Sequence, residues 1–258
     1  MIFQYNTANI YYESHGSGPA VVLLHGFLES STMWKRLIPE LSNANTVIIP
    51  DLPGHGKSDV LREVHSMEEM AKMLNALLEF LQIPSATFIG HSMGGYVLLA
   101  FTELFSEKTN GVLLLNSTPE ADSEERKRNR ERALRLIPKN PDIFIKAAIT
   151  SLFAETGAEN YKEEISRLQK EALGFPTQGI MAMIRGMKER KDRTFVLKNY
   201  SGKKFMLSGD KDPLISLSEA QNIAKKTKTE LKVVDAGHMI LIENWDKFHN
   251  IVHFIDFL

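Results

Sequence analysis

The sequence predicts an α/β protein: a mostly parallel sheet covered by helices on both faces and carrying a helical insertion. Two observations support this. Short apolar runs that read as fully buried strands alternate with segments of helical periodicity, the pattern of a parallel sheet. From residue 118 to residue 200 that alternation stops, and helical patterns continue without a convincing strand.

The elements follow in order. Residues 3–5 and 9–14 alternate apolar and polar side chains and form two strands, closed by His15-Gly16-Ser17-Gly18-Pro19. Residues 20–24 are a buried strand and residues 46–49 another; between them, 31–41 place Trp34, Leu37, Ile38 and Leu41 at helical spacing. A helix over 67–81 sets Met70, Leu74, Leu77, Leu78 and Leu81 on one face. Strands over 87–89 and 111–116 enclose a helix over 94–105. In the insertion, Asp122 followed by Glu125 has the form of a capping box opening a charged helix through Ile137. Beyond it come a strand over 205–208, a helix over 216–226, a strand over 231–234 and a final helix over 246–258. That last helix turns Phe248, Ile251, Val252, Ile255 and Leu258 toward the core.

Composition narrows the chemistry. The 258 residues carry 31 Lys plus Arg against 32 Asp plus Glu, a formal charge of -1, so charge balance gives no warrant for a nucleic-acid partner. The insertion has 17 basic and 13 acidic residues, leaving 14 and 19 elsewhere, so a mildly basic insertion sits on an acidic body. Without cysteine there is no disulfide, thiol nucleophile or thiolate metal site. The alternating, aromatic start reads as strand rather than signal peptide, and no apolar run is long enough to span a membrane; the expected location is cytoplasmic.

The sharpest local signal is Gly90-His91-Ser92-Met93-Gly94-Gly95 between a buried strand and an apolar helix. G-x-S-x-G in strand–turn–helix context holds a serine at a strained turn, where side chains two residues away would clash with neighbouring backbone. Ser92 is the candidate nucleophile, exposed at a helix N-terminus that favours developing negative charge. Two later loops, each after a predicted strand, supply an acid and a base: Gly209-Asp210-Lys211-Asp212-Pro213 and Ala236-Gly237-His238-Met239. Loops at the carboxyl ends of parallel strands converge, so Ser92, Asp212 and His238 can meet in the order Ser, acid, His. Asp212 is preferred as the acid, with Asp210 the alternative and more simply a turn former. Val22-Leu23-Leu24-His25-Gly26-Phe27 ends another buried strand; the Phe27 and Met93 N–H groups are the expected oxyanion hole. His25 reads as a buried residue shaping that loop.

Taken together, His25-Gly26-Phe27, Asp51-Leu52-Pro53-Gly54-His55-Gly56-Lys57-Ser58, residues 90–95, Asp212 and Gly237-His238 resemble the α/β-hydrolase superfamily over nearly the whole chain. The resemblance implies an eight-stranded sheet formed by residues 1–117 and 201–258, with residues 118–200 as a helical cap inserted after the sixth strand. It implies a carboxylesterase-like serine hydrolase with no cofactor and no metal, acting on small or medium acyl esters. Cofactor-free carbon–carbon bond hydrolysis or elimination, including the type that makes a menaquinone precursor, is the enzymatic alternative; a binding protein on the same fold is the other. Superfamily dehalogenases and epoxide hydrolases use an aspartate nucleophile, which Ser92 replaces here. Arg185, Arg190 and Arg193 read as solvated or salt-bridging side chains, with a basic cap site for an acidic substrate as the alternative.

Lesser signals have plainer accounts. Gly56-Lys57-Ser58 lacks the first glycine of a phosphate loop, since Asp51 stands there. His249 and His253 lie four apart without a third ligand and read as surface histidines. The charged run 124–135 is a solvated helix rather than a nucleic-acid site. Ile180, Met183, Ile184 and Met187 recur at helical spacing, suited both to packing on the body and to an apolar cleft wall. The expected substrate pocket is Phe27, Phe144, Leu152, Phe153, Met183, Met187 and Met239, with Phe175 nearby.

Overall fold

The computed structural model describes residues 1–154 and 159–254, the last two by backbone only. Its eight strands are β1 (Ile2–Tyr5), β2 (Ala8–His15), β3 (Ala20–Leu24), β4 (Thr46–Pro50), β5 (Ala86–His91), β6 (Thr109–Leu115), β7 (Lys203–Gly209) and β8 (Glu230–Val234). They form one sheet in the order β1-β2-β4-β3-β5-β6-β7-β8. β2 pairs antiparallel with both β1 and β4, and every pairing from β4 to β8 is parallel. The helices are α1 (Ile38–Leu41), α2 (Met67–Phe80), α3 (Met93–Leu104), α4 (Glu124–Leu136), α5 (Pro141–Thr150), α6 (Lys162–Ala172), α7 (Thr177–Glu189), α8 (Thr194–Asn199), α9 (Leu217–Thr227), α10 (Ile240–Glu243) and α11 (Trp245–Phe254).

The strand period of two divides the core. On one side of β3, Val22 and Leu24 join Phe88, Leu74 and Phe101 under α2 and α3; on the other, Val21 and Leu23 join Trp34, Ile89 and Phe248. Each fully buried side chain of this kind contributes about 1.5–3 kcal/mol. In α11, Phe248 and Val252 are buried and Ile251 packs against the same cluster; the expected Ile255 and Leu258 lie outside the described residues.

Two elements depart from expectation. Residues 31–41 are not one helix but a short 3-10 turn at Ser31–Trp34 followed by α1, because Pro39 lacks an N–H and crowds the preceding turn. Trp34, Leu37 and Leu41 are nonetheless buried. The cap of α4 is Ser123, whose hydroxyl accepts from Arg126 N–H at 3.2 Å. Asp122 is thereby freed for another task. The capping box is found instead at α9, where Ser216 and Glu219 cap each other.

Among the described residues, no strand lies between β6 and β7, where α4 to α8 follow one another. The apolar cluster runs without a break from the sheet into these helices through Ile137, Ile145, Ile180 and Met187. α8 packs against α3 and α9. α7 crosses the loops below it closely: a Cβ on Gly186 would stand 1.8 Å from the His65 carbonyl oxygen. Polar ties complete the seat. Arg193 is buried and pairs with Glu68 at 2.7 Å and Glu103 at 2.9 Å. Asp122 pairs with both Arg130 and Arg190, and the Arg190 guanidinium stacks 4.1 Å over the Tyr96 ring. Among the described residues, no helix is long and apolar enough to cross a membrane.

Burial pushes the Asp122 carboxyl up, but the hydrogen bonds and charges of Arg130 and Arg190 outweigh it and hold the group below its ordinary value of 3.8. A depressed carboxylate stabilises the fold above its unfolded value, and that stability is lost as pH falls through the folded value. Asp122→Asn leaves Arg190 buried without its partner, so it is expected to cost about 3 kcal/mol at neutral pH. The deficit shrinks toward low pH as the wild type loses the same pair. Urea unfolding across the acid range reads both; equal deficits at neutral and strongly acid pH contradict the pairing.

Candidate active site

The site is assembled where five strands end. After β5 the chain turns at Ser92 with φ 49° and ψ -116°, a backbone region that L-residues rarely occupy, and Met93 opens α3. The turn is possible only without side chains around it. A Cβ on Gly94 would meet the Leu24 carbonyl oxygen at 2.3 Å, and one on Gly90 would meet the Gly95 nitrogen at 2.6 Å. Ser92 is thereby held at the N-terminus of α3, with the β3 loop against it.

Asp212 and His238 meet beneath this turn. His238 Nδ1–H donates to Asp212 Oδ2 at 2.8 Å, and the two side chains are essentially buried. The other carboxylate oxygen accepts the Leu214 and Ile215 N–H groups at 2.8 and 3.1 Å. Burial raises the Asp212 carboxyl, but the His238 charge and these hydrogen bonds prevail and leave it below the usual range. With Nδ1 committed, His238 Nε2 is buried without a protein partner, and His238 and Ser92 line the same 180 Å³ cavity. Asp210, the alternative acid, instead accepts the Ala236 N–H at 3.2 Å and stays a turn residue.

Several supports lie outside the sequence motifs. Asn116, itself at φ 44°, donates from Nδ2 to Asp212 Oδ2 at 2.7 Å and to the Gly237 carbonyl at 3.0 Å. Glu243 accepts the Gly237 and Met239 N–H groups on either side of His238, both at 3.0 Å. The His238 N–H donates to Leu152 O at 3.0 Å, so the segment after α5 also holds His238 in place. Nothing in the local sequence distinguishes Asn116 or Glu243; only the order of strands brings them here.

The histidines near the β3 loop are neutral struts. His25 Nε2 accepts the Leu52 N–H at 2.9 Å, which leaves Nδ1–H to donate to Gly26 O at 2.8 Å. Burial pushes His25 and His55 down, and His65 to about 4. The Asp51 carboxylate takes the Ser31 and Lys57 N–H groups at 2.7 and 2.8 Å, so the loop after β4 is a folded support.

Of the expected pocket residues, Phe27, Leu152 and Met187 line the cavity at Ser92, and Phe27 and Phe144 line a 540 Å³ pocket opening from it. Phe153, Met183 and Met239 do not reach either space. Phe153 stacks near Tyr161 at 5.8 Å, and Met183 and Met239 are buried in the apolar cluster. Phe175 lies against His55. The sequence pattern missed Tyr96, Arg130 and Leu214, which line both spaces. Arg185 turns to the Glu63 carbonyl at 3.0 Å and, with Arg190 and Arg193 paired as described, none of the three lines these spaces. His249 pairs with Glu40; among the described residues, no cluster of three His, Asp or Glu is placed to hold a metal ion.

Residues 19–244 match the family model described as alpha/beta hydrolase fold. The chain belongs to this family. Among solved alpha/beta hydrolases it is similar to a thermophilic esterase from Thermogutta terrifontis with malate bound, at TM-score 0.89 and 32% identity, covering 95% of this chain and 92% of that one. It also shares its fold with the enol-lactonase from Burkholderia xenovorans, at TM-score 0.90 and 20% identity over 98% of each chain. An uncharacterized protein of Mycobacterium tuberculosis is 39% identical over 102 residues; that match takes in 40% of this chain and 30% of the relative's length.

Proposed function

We propose that this alpha/beta hydrolase is a serine carboxylic ester hydrolase acting on small and medium esters through an acyl-enzyme. The observation that carries the reading is His238: Nδ1 is fixed by Asp212 at 2.8 Å while Nε2, without a protein partner, borders the same cavity as Ser92. In this mechanism Ser92 Oγ attacks the acyl carbon as His238 Nε2 takes its proton. Asp212 holds the ring tautomer and stabilises the imidazolium. The Phe27 and Met93 N–H groups receive the developing oxyanion, aided by the N-terminal end of α3. Protonated His238 then gives its proton to the departing alkoxide. Water attacks the acyl carbon with the same base, and collapse of the second tetrahedral intermediate returns the proton to Ser92.

The helices of residues 118–200 act as a cap in this reading. Phe144, Ala147, Ala148 and Ile184 supply an apolar wall of the outer pocket, which favours an apolar acyl or alkyl chain through burial. The 32% identical esterase supports ester chemistry over carbon–carbon cleavage. So does the engagement of Arg185, Arg190 and Arg193 away from the cleft, since a basic cap motivated the carbon–carbon alternative.

Ser92→Ala is expected to keep the fold and lose p-nitrophenyl butyrate turnover on the order of 10⁴-fold or more. Turnover at the wild-type rate in that variant contradicts the nucleophile assignment. Ala147 lines the outer pocket and is exposed, so Ala147→Trp narrows that space without disturbing the core. It should lower kcat/KM for the hexanoate ester about tenfold while leaving the acetate ester nearly unchanged. An equal loss on both esters argues against the outer pocket as the chain-binding site.

A further inference from the structure

Two buried titratable groups beside the site take no part in the steps above. Glu29 and His91 are 3% and 0% exposed. Glu29 follows Gly26 by three residues in the β3 loop, and His91 ends β5 immediately before Ser92. Glu29 Oε2 accepts the Gly26 N–H at 2.7 Å and the His91 Nδ1–H at 2.9 Å. On its other side, His91 Nε2–H donates to the His238 carbonyl oxygen at 3.0 Å. The rings of His91 and His238 are 5.1 Å apart.

The proton count follows from the partners. A carbonyl oxygen can only accept, so Nε2 carries a proton. The bond between Nδ1 and the carboxyl group needs a second proton, on either partner. The pair therefore holds two protons whether written as imidazolium with carboxylate or as imidazole with carboxylic acid. Burial opposes the charges, but each group's attraction to the other prevails: His91 is raised and Glu29 lowered, which favours the ionic form. The space is tight, since a Cβ on Gly26 would stand 2.8 Å from Glu29 Oε2 and 2.9 Å from His91 Nδ1.

Three loops meet at this one pair. The first carries Phe27, the second Ser92 and the third His238. We propose that Glu29 and His91 are positioning residues, a buried clamp that fixes the Phe27 N–H and the His238 ring relative to Ser92. The proposal rests on the ester-hydrolase reading. Neither residue exchanges a proton with substrate in it. Their role is to prevent the loops after β3 and β8 from drifting apart, because small misplacements of reacting groups are costly: about 1 Å can lose 10²-fold in rate.

The deciding experiment uses the full chain with p-nitrophenyl butyrate, thermal unfolding and ¹⁵N–¹H NMR of the histidine rings at pH 7. Removing one member strands a buried charge, so the main variant is Glu29→Leu/His91→Phe, which replaces the pair by apolar groups and can retain stability. It should unfold near the wild-type temperature, with kcat at least about tenfold lower and KM within about twofold. In Glu29→Gln a single amide atom stands where Oε2 accepts both N–H groups, so the bond to Gly26 or the bond to His91 is kept but not both, and kcat should fall at least about threefold below wild type. In the wild type, His91 should show both ring N–H protons, and in Glu29→Gln only one. A folded double variant with wild-type kcat overturns the clamp, as does Glu29→Gln with wild-type kcat. A single exchangeable proton shared by the wild-type pair overturns the proton assignment and the clamp with it. If the double variant does not fold, Glu29→Gln and the NMR count decide. Failure of the parent reading is separate: it shows as undiminished turnover in Ser92→Ala, or as no turnover of any ester by the wild type, and takes the positioning role with it.

Discussion

A side chain at residue 94 has no room: its Cβ would lie 2.3 Å from the Leu24 carbonyl oxygen. That contact between α3 and the end of β3 is the constraint on which the rest of the site depends. It lets β5 turn directly into α3 and holds Ser92 at φ 49°, with its hydroxyl at the helix end. It also places the β3 loop, and so Phe27, beside the same point. A looser turn would be easier to fold, but it would separate Ser92 from the candidate oxyanion donors. The strain is localised at one residue and offset by the apolar packing of α3, whose buried face includes Val97, Leu98 and Phe101.

Around this turn the polar groups are divided by partner. His25, His55 and His65 are held neutral by burial, whereas His91 faces a carboxylate and a carbonyl and is drawn toward its charged form. Asp212 accepts from His238, Asn116, Leu214 and Ile215, which leaves its charge well compensated. A buried polar atom without a partner is costly. Among the described residues, Trp34, His55, His65, Asn116 and Arg190 each hold one, but only the Nε2 of His238 belongs to a residue lining the Ser92 cavity. In the proposed mechanism that atom is free because it takes the Ser92 proton.

The parallel sheet was legible because its central strands are buried on both faces, as in Ala-Val-Val-Leu-Leu at residues 20–24. The convergence of Ser92, Asp212 and His238 was legible because each follows a strand the sequence predicts, and loops after parallel strands converge. What failed was information carried by contacts distant in sequence. Phe153, Met183 and Met239 have the right chemistry for a pocket wall, yet helix phase turns Met183 into the core and the loops after α5 and before α10 do the same for Phe153 and Met239. Asp122 looked like a cap, but a shift of one residue gave that task to Ser123 and left Asp122 to bind Arg130 and Arg190. Asn116 was invisible for the opposite reason: one asparagine at a strand end acquires its role only when β7 and β8 bring Asp212 and Gly237 beside it.

Activation of Ser92 by His238, as proposed, makes the serine hydroxyl open to covalent capture. The intact chain is treated with a fluorophosphonate, weighed by mass spectrometry, then digested to locate the adduct. One adduct per chain is expected, carried by the peptide containing Ser92, with labelling that slows sharply in His238→Ala. No adduct, an adduct on another residue, or labelling that does not depend on His238 would contradict the proposed activation.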